Sequence, residues 1–403
     1  MRIARIAAGL FLLAYLIFLF RHTCFFASGP DSSGYLNEAT LFAEGKLKVR
    51  VAPLRELGLD RSMIDVFVPL GFLPGEGELM VPTYPPGLPL HMLLFGKLGA
   101  GLYVVSPLAA IGCLLMLYAV ARELGLSRGW AMIAPLLLMS VAVFLAFALQ
   151  PMSDVLATFW VLLAIWCALR ARRSGGAAYA AGAAMAMAVV VRPTNALAVV
   201  AFALALPVRM WTKAILGAIV PAAALFSYNA IQYGSPFRFG FASVADVLTW
   251  RPFGVCGGFH LWWTMRQLTP VVAVLAIAML VLRSVPLRQK LMLASWFAAF
   301  FVFYSFYNYC PDWNAIRFLL PTFPALILGA LLMLQRIPRV AAVVAVLAIL
   351  YGQSDLTSGF RVFRVDDDQS VFPETIGWAE RRLPPNALVV TGVFSGAYDF
   401  YSR

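Results

Sequence analysis

About eleven apolar runs follow one another along this chain, separated by short connections that carry Arg and Lys. They fall at 6–26, 102–121, 130–149, 155–169, 177–191, 196–208, 214–231, 261–282, 291–309, 319–334 and 340–351. Several approach the roughly 20 residues that cross a bilayer core as a helix. In hydrocarbon every backbone N–H and C=O must be satisfied within the protein, so only helices and closed barrels span a membrane. A barrel is written in segments of about ten alternating residues, a pattern this sequence lacks. The runs therefore predict an all-α polytopic membrane protein. Charged residues make up 12% of the 403 positions, about half the share in a soluble domain. That is too little to coat a globule of this size, which excludes a soluble enzyme. The first run follows Met1-Arg-Ile-Ala-Arg5 like a signal peptide, and Ala27-Ser28-Gly29 imitates a cleavage site. The apolar run reaches Phe26, so an uncleaved first helix is expected.

The connections give an orientation. With the N-terminus inside, alternate short loops carry Arg122 and Arg128, then Arg170, Arg172 and Arg173, then Arg209 and Lys213, then Arg283, Arg288 and Lys290, and last Arg336 and Arg339. The short loops on the other side carry one positive charge or none. This is the positive-inside pattern, and it predicts N-in, C-out. The net charge of +12 thus orients helices and does not call for nucleic acid. Residues 27–97 and 233–260 fall outside, and stretches such as 35–47 read as amphipathic helices lying along the membrane surface. Residues 1–353 form the membrane domain, with 27–97 as its first extracytoplasmic loop. Residues 354–403 form a short extracytoplasmic tail, too small for a confident independent domain and expected to pack on the outer loops. In it a helix is predicted at 375–383, a strand at 387–391 and a closing turn or helix at 396–401. Cys113 and Cys167 lie in apolar runs. Cys24, Cys256 and Cys310 fall outside and admit either one disulfide or free buried thiols.

The hairpin 177–208 has arms of about 15 and 13 residues, or roughly 20 Å each at 1.5 Å per residue. That is short of a bilayer core of about 30 Å. Its turn, Arg192-Pro193-Thr194-Asn195, then sits below the outer surface, where an Arg needs a water-filled cavity or an anionic partner. Two carboxylates border the bundle on the same side. Asp31 lies in Gly29-Pro30-Asp31-Ser32-Ser33-Gly34-Tyr35, and Asp154 in Gln150-Pro151-Met152-Ser153-Asp154. A helix N-cap explains the first equally well, and the helix dipole the second. Together they make a candidate acid/base or metal pair, with His260 as a further candidate metal ligand. Tyr84, in Tyr84-Pro85-Pro86-Gly87, is placed to line a site. Arg192 and Arg317 have the guanidinium forks that match phosphate oxygens; snorkelling to headgroups is the alternative for Arg317. No phosphate-binding loop, dinucleotide fingerprint or H-E-x-x-H is present, so no nucleotide cofactor is expected.

Taken in order, Asp31-Ser-Ser-Gly-Tyr35, Tyr84-Pro-Pro-Gly87, Ser153-Asp154, Arg192-Pro193, Gly234-Ser-Pro236 and Arg317-Phe-Leu-Leu-Pro321 resemble the GT-C superfamily of membrane glycosyltransferases. The nearest branch is the protein O-mannosyltransferase and aminoarabinose transferase group, over roughly residues 1–335. The resemblance implies about eleven transmembrane helices and a polyprenyl-phosphate sugar donor held within the membrane. It implies a lipid, glycan or protein acceptor arriving from outside. It makes Asp31 the catalytic carboxylate with Asp154 as its partner, and Tyr35, Tyr84, Arg192 and Arg317 substrate-binding residues. A divalent metal is a further expectation, with Asp31, Asp154 and His260 as candidate ligands. The chain departs from the group at Ser32, where many members have a second acid, and at Thr83 and Tyr84, where the aminoarabinose branch has Glu and Lys. The expected activity is inverting transfer of a sugar from lipid phosphate to an acceptor hydroxyl, in a bacterial inner membrane. A ligase or polymerase of lipid-linked sugars would place its apparatus in a large late outer loop. A flippase or transporter would show inverted repeats, which are not visible here.

Overall fold

The computed structural model describes residues 2–51, 56–241, 248–250, 253–310, 312–384 and 387–402. Each of the eleven apolar runs is helical. Among the described residues seven helices are long and apolar enough to cross a membrane, and one bent pair makes an eighth. Two further apolar helices are shorter, Gly175–Val191 and Pro193–Ala205, and the first apolar run is helical over Arg2–His22. The helices at 175–191 and 193–205 are each shorter than a straight crossing of the bilayer core.

The first helix, α1, is Arg2–His22, and α2, Pro30–Ala43, opens the first loop. β1 (Val49–Arg50), β2 (Phe72–Pro74) and β3 (Leu79–Pro82) form an antiparallel sheet with β3 in the middle, in register Val49↔Met80 and Leu73↔Val81. Then come α3 (Gly87–Lys97), α4 (Val105–Glu123), and the pair α5 (Arg128–Met139) and α6 (Ala142–Ala148), bent by 69°. The expectation of one continuous helix over 130–149 fails at Ser140-Val141, where Val141 is extended. α7 (Ser153–Arg170), α8 (Gly175–Val191), α9 (Val199–Ala205) and α10 (Trp211–Tyr233) follow. α11 (Phe253–Ala278) kinks at Thr269, φ 69°, just before Pro270, where the ring excludes helical backbone at the preceding residue. α12 (Leu287–Phe306), a 3₁₀ run Trp313–Thr322, α13 (Phe323–Leu334) and α14 (Arg339–Gly359) complete the bundle.

Without a hydrophobic drive between helices in lipid, small residues let backbones approach. α8 and α10 do this at Gly182 and Gly217, where a Cβ would stand 1.7 Å from Ala214 O and 2.0 Å from Tyr179 O. α2 is not a surface helix. Ser32 through Ala39 and Leu41 are all buried, because the helix lies under the first loop and the tail and shows no lipid-facing stripe. The tail keeps two of its expected elements, α16 (Val371–Glu380) after a short α15 (Val365–Gln369), and α17 (Ser395–Tyr401). The strand expected at 387–391 does not form; this segment has no strand partner among the described residues. The tail packs on the first loop: Asn37 donates to Gly396 O at 2.9 Å, and Leu70 N–H to Ser395 Oγ at 3.0 Å. Cys256 and Cys310 form a disulfide, while Cys24, Cys113 and Cys167 are buried thiols.

Candidate active site

Asp31 and Asp154 each stand in the first turn of a helix, α2 and α7, and neither caps it. The N-cap positions are Gly29 and Met152, with no side-chain cap at either. The carboxylates turn to arginines instead. Tyr84 Oη–H donates to Asp31 Oδ1 at 2.6 Å, and Arg317 Nη2 donates to Oδ2. Arg192 Nη1 donates to Asp154 Oδ1. Arg317 is only 16% exposed at its side chain, so it does not snorkel to headgroups.

Local sequence explains how these groups arrive. Arg192 precedes Pro193, which disfavours helical backbone at 192; α8 ends there with φ −146°, ψ 113°, and the side chain turns back onto α7. In Asp31-Ser-Ser-Gly34 the glycine admits the Tyr84 ring, since a Cβ at 34 would stand 2.3 Å from it. At the other end of Tyr84-Pro-Pro-Gly87, a Cβ on Gly87 would lie 2.5 Å from Val191 Cα. This short turn therefore locks the Asp31 helix against the end of α8 that carries Arg192. The 3₁₀ run starts at a true cap, with Asp312 Oδ1 accepting from Asn314 N–H at 2.8 Å; it delivers Arg317 and Phe318 side by side. Both guanidiniums lie against the Phe318 ring, at 5.2 Å for Arg192 and 5.4 Å for Arg317. Tyr304 stacks on Phe318 at 5.0 Å, and its hydroxyl donates to Thr194 at 2.9 Å.

Tyr35 joins the halves: its hydroxyl pairs with Ser153 Oγ at 2.9 Å and its ring lies 4.7 Å from Tyr84. Both tyrosines are buried, with their hydroxyls engaged within the site. Burial works to raise the pKa of Asp31, but the Arg317 charge and the Tyr84 hydrogen bond outweigh it and hold the carboxyl below its ordinary range. Asp31 and Arg317 border a cavity of about 440 Å³ that reaches Trp313 and Gln369. A second, apolar groove of about 390 Å³ runs between the arms of the short hairpin and α10, lined by Val189, Phe202 and Trp211 among others.

Six of the seven sequence-derived residues converge here. His260 does not: it is buried in α11, outside the two ion pairs, with its ring 6.2 Å from that of Tyr304. Among the described residues no three His, Cys, Asp or Glu side chains are placed to hold a metal ion, and both carboxylates already face arginines. These residues do not fit the expected metal, and no step is derived through one. Tyr304 was not singled out by the sequence, and Ser153, Thr194 and Phe318 stood there only as neighbours of Asp154, Arg192 and Arg317 in their motifs, because nothing local marks which aromatic two distant arginines will share. Glu38 was also missed, although 31, 35 and 38 share one helical face. It is buried, accepts from Tyr228 Oη–H at 2.7 Å, and burial pushes its pKa well up.

The whole arrangement superposes on a solved membrane protein. ArnT from Cupriavidus metallidurans bound to undecaprenyl phosphate matches with a TM-score of 0.68 at 15% identity, over 97% of this chain and 84% of that one. ArnT from the same organism in the apo state gives a TM-score of 0.55 at 17% identity, over 98% and 75% of the two chains. In sequence, residues 84–231 match the family described as dolichyl-phosphate-mannose-protein mannosyltransferase. That segment holds Tyr84, Asp154 and Arg192; Asp31 and Arg317 lie outside it. No curated protein matches the sequence. With its apolar helices and its ArnT-like fold, the chain is a multi-pass membrane protein.

Proposed function

We propose that the protein is a membrane glycosyltransferase that moves a sugar from a polyprenyl-phosphate donor to an acceptor hydroxyl on the extracytoplasmic side, with inversion. The observation that carries this reading is an ionised Asp31, fixed by Tyr84 and Arg317, at the wall of a cavity. An acceptor hydroxyl is a poor nucleophile at neutral pH, and a placed base removes its proton as the new bond forms. Asp31 takes that proton. The anomeric C–O bond breaks with its electron pair leaving on the polyprenyl phosphate, already a good leaving group, so no general acid is needed.

A guanidinium has five N–H donors. Arg192 and Arg317 each donate one to a carboxylate, and Arg317 Nε–H is buried without a partner, which leaves donors for a donor phosphate. The apolar groove beneath Arg192 suits an isoprenoid chain, and ArnT, the fold's solved neighbour, binds undecaprenyl phosphate. An arriving phosphate shares Arg317 with Asp31. The carboxylate then loses part of the charge that depresses its pKa and becomes a stronger base when the donor is in place.

The loop charges support N-in, C-out in a bacterial cell membrane. So does the Cys256–Cys310 disulfide, which ties the chain just before Arg317 to α11 and belongs to an oxidising compartment. The test is purified protein in detergent with a panel of polyprenyl-phosphate sugars, reading released polyprenyl phosphate. Turnover of one donor, lost in Asp31→Asn, is expected; turnover of none overturns the reading. A C-terminal reporter active only in the cytoplasm overturns the orientation.

A further inference from the structure

At the end of the bundle away from the ion pairs, a second charged cavity of about 350 Å³ is lined by Arg122, Gly125, Leu126, Ser127, Gln335 and Arg336. α7 sets the separation. Asp154 stands in its first turn and Arg170 in its last, 18 residues or about 27 Å end to end. There Arg170 lies 3.9 Å from Glu123, which follows Arg122 at the close of α4. The α4–α5 and α13–α14 turns frame the cavity, and α5 packs on α13. None of the six lining residues is acidic. Glu123, the nearest acid along the chain, is held by Arg170 and Arg173. Arg122 Nη1 donates to Leu126 O, which folds that guanidinium onto the turn. Arg336 has no ion pair among the described residues. Gln335 adds an amide NH₂, and Ser127 Oγ accepts from Trp130 N–H at 3.5 Å, which leaves its O–H to donate.

Every polar side chain on this wall can donate, and two are positively charged with no carboxylate in the cavity to answer them. Such a wall selects an anion rich in acceptor oxygens. A phosphate has oxygens for a fork from each guanidinium, whereas a carboxylate is filled by one. We propose that the cavity binds a phosphate group, which joins the α4–α5 turn to the α13–α14 turn. In the N-in orientation both turns face the cytoplasm, where basic pockets between transmembrane helices take anionic headgroups. The phosphate of an anionic lipid fits the position, at helix ends where headgroups lie; a soluble phosphate carries the same oxygens. α13 continues directly from the 3₁₀ run that holds Arg317, so an anion bound here anchors the far end of that helix. The cavity shares no residue with the ion pairs or with the cavity beside Asp31. It therefore stands independently of the transferase reading.

The test titrates the full-length protein in detergent by isothermal calorimetry. The probes are inorganic phosphate, dihexanoyl phosphatidylglycerol and, as the zwitterionic control, dihexanoyl phosphatidylcholine. At least one of the two anionic probes is expected to bind about tenfold tighter than the control, the worth of one charged hydrogen bond. Arg336→Gln should weaken that binding about tenfold, and Arg122→Gln by a similar factor. Arg336 is exposed and without an ion pair among the described residues, so this variant keeps its fold and decides the matter where Arg122→Gln melts early. Arg128 is exposed in the same turn but does not line the cavity. Arg128→Gln should therefore change the affinity less than about twofold, which separates a built cavity from the general pull of basic loops on anionic lipid. Phosphatidylglycerol binding well ahead of inorganic phosphate makes the occupant a lipid headgroup. Inorganic phosphate binding as tightly makes it a soluble phosphate. Either result upholds the site. No binding of either anion, an affinity unchanged in Arg336→Gln, or an equal loss in Arg128→Gln overturns it; a ligand retained in Arg336→Gln belongs to another site, the donor site included.

Discussion

Two ion pairs built from the same residue types behave as opposites. Asp31–Arg317 and Asp154–Arg192 each join a carboxylate in a helix's first turn to an arginine from elsewhere in the chain, and both guanidiniums lie against the ring of one phenylalanine, Phe318. The Asp31 side chain is 30% exposed and opens on a cavity; that of Asp154 is 1% exposed. A carboxylate that substrate can reach is fitted for proton transfer. One sealed against a buried arginine is fitted for holding the tip of a short hairpin at depth. Identity of residue type does not set the role here; access does.

The most severe way to break this comparison is Asp31→Asn. It keeps size and polarity but removes the base, so turnover should fall about 10²–10⁴-fold with little change in melting temperature. Activity near wild type in a folded variant would move the base elsewhere. Asp154→Asn should show the reverse emphasis. It leaves Arg192 buried without its counter-charge, a change that costs about 3–5 kcal/mol for a buried pair, read as a lowered melting temperature. Replacing both partners, as Asp154→Leu with Arg192→Met, should recover much of that stability; a double variant as unstable as the two singles summed would mean that the pair is not a unit.

A smaller effect sharpens the assignment of Arg192. Arg192→Lys retains the charge toward Asp154 but loses the planar fork. The apparent KM for the lipid-linked donor should rise about tenfold with kcat less affected; an unchanged KM would return Arg192 to a purely structural role. The smallest effect concerns Tyr84→Phe, which removes one of the three groups, with Arg317 and Arg192, that favour the ionised Asp31. The Asp31 pKa then rises, the base is protonated at higher pH, and the acid limb of the kcat/KM profile moves upward, with little change at neutral pH. By linkage, the depressed pKa gives stability that is present above the carboxyl's unfolded value and lost as pH falls through the folded one. In Tyr84→Phe that loss should begin at higher pH. A pH profile that does not move would show the hydrogen bond to be incidental.

Much of the framework was legible because its causes are local. Eleven apolar runs became helices, since a backbone out of water closes its own hydrogen bonds segment by segment. The three short strands at 49–82 escaped notice because two to four residues carry no readable period. The strand read at 387–391 had β-branched composition but found no partner, and a strand is stable only when paired. The bend between α5 and α6 was likewise invisible in an unbroken apolar run.

In the site the division follows the same line. The sequence by itself determined the chemical stock: acids at helix starts, an Arg before Pro193 at the end of a short arm, a tyrosine in a rigid turn, and a second Arg beside an aromatic. It determined these because each depends on neighbours within a few residues. Which acid meets which arginine was decided only by the tertiary structure, across separations of 286 residues for Asp31–Arg317 and 38 for Asp154–Arg192. The placing of His260 outside the ion pairs, the approach of both guanidiniums to Phe318, and the opening of a cavity on one carboxylate and not the other have the same origin. Access and pairing are properties of packed helices, and the order of residues along a chain carries neither until the helices have packed.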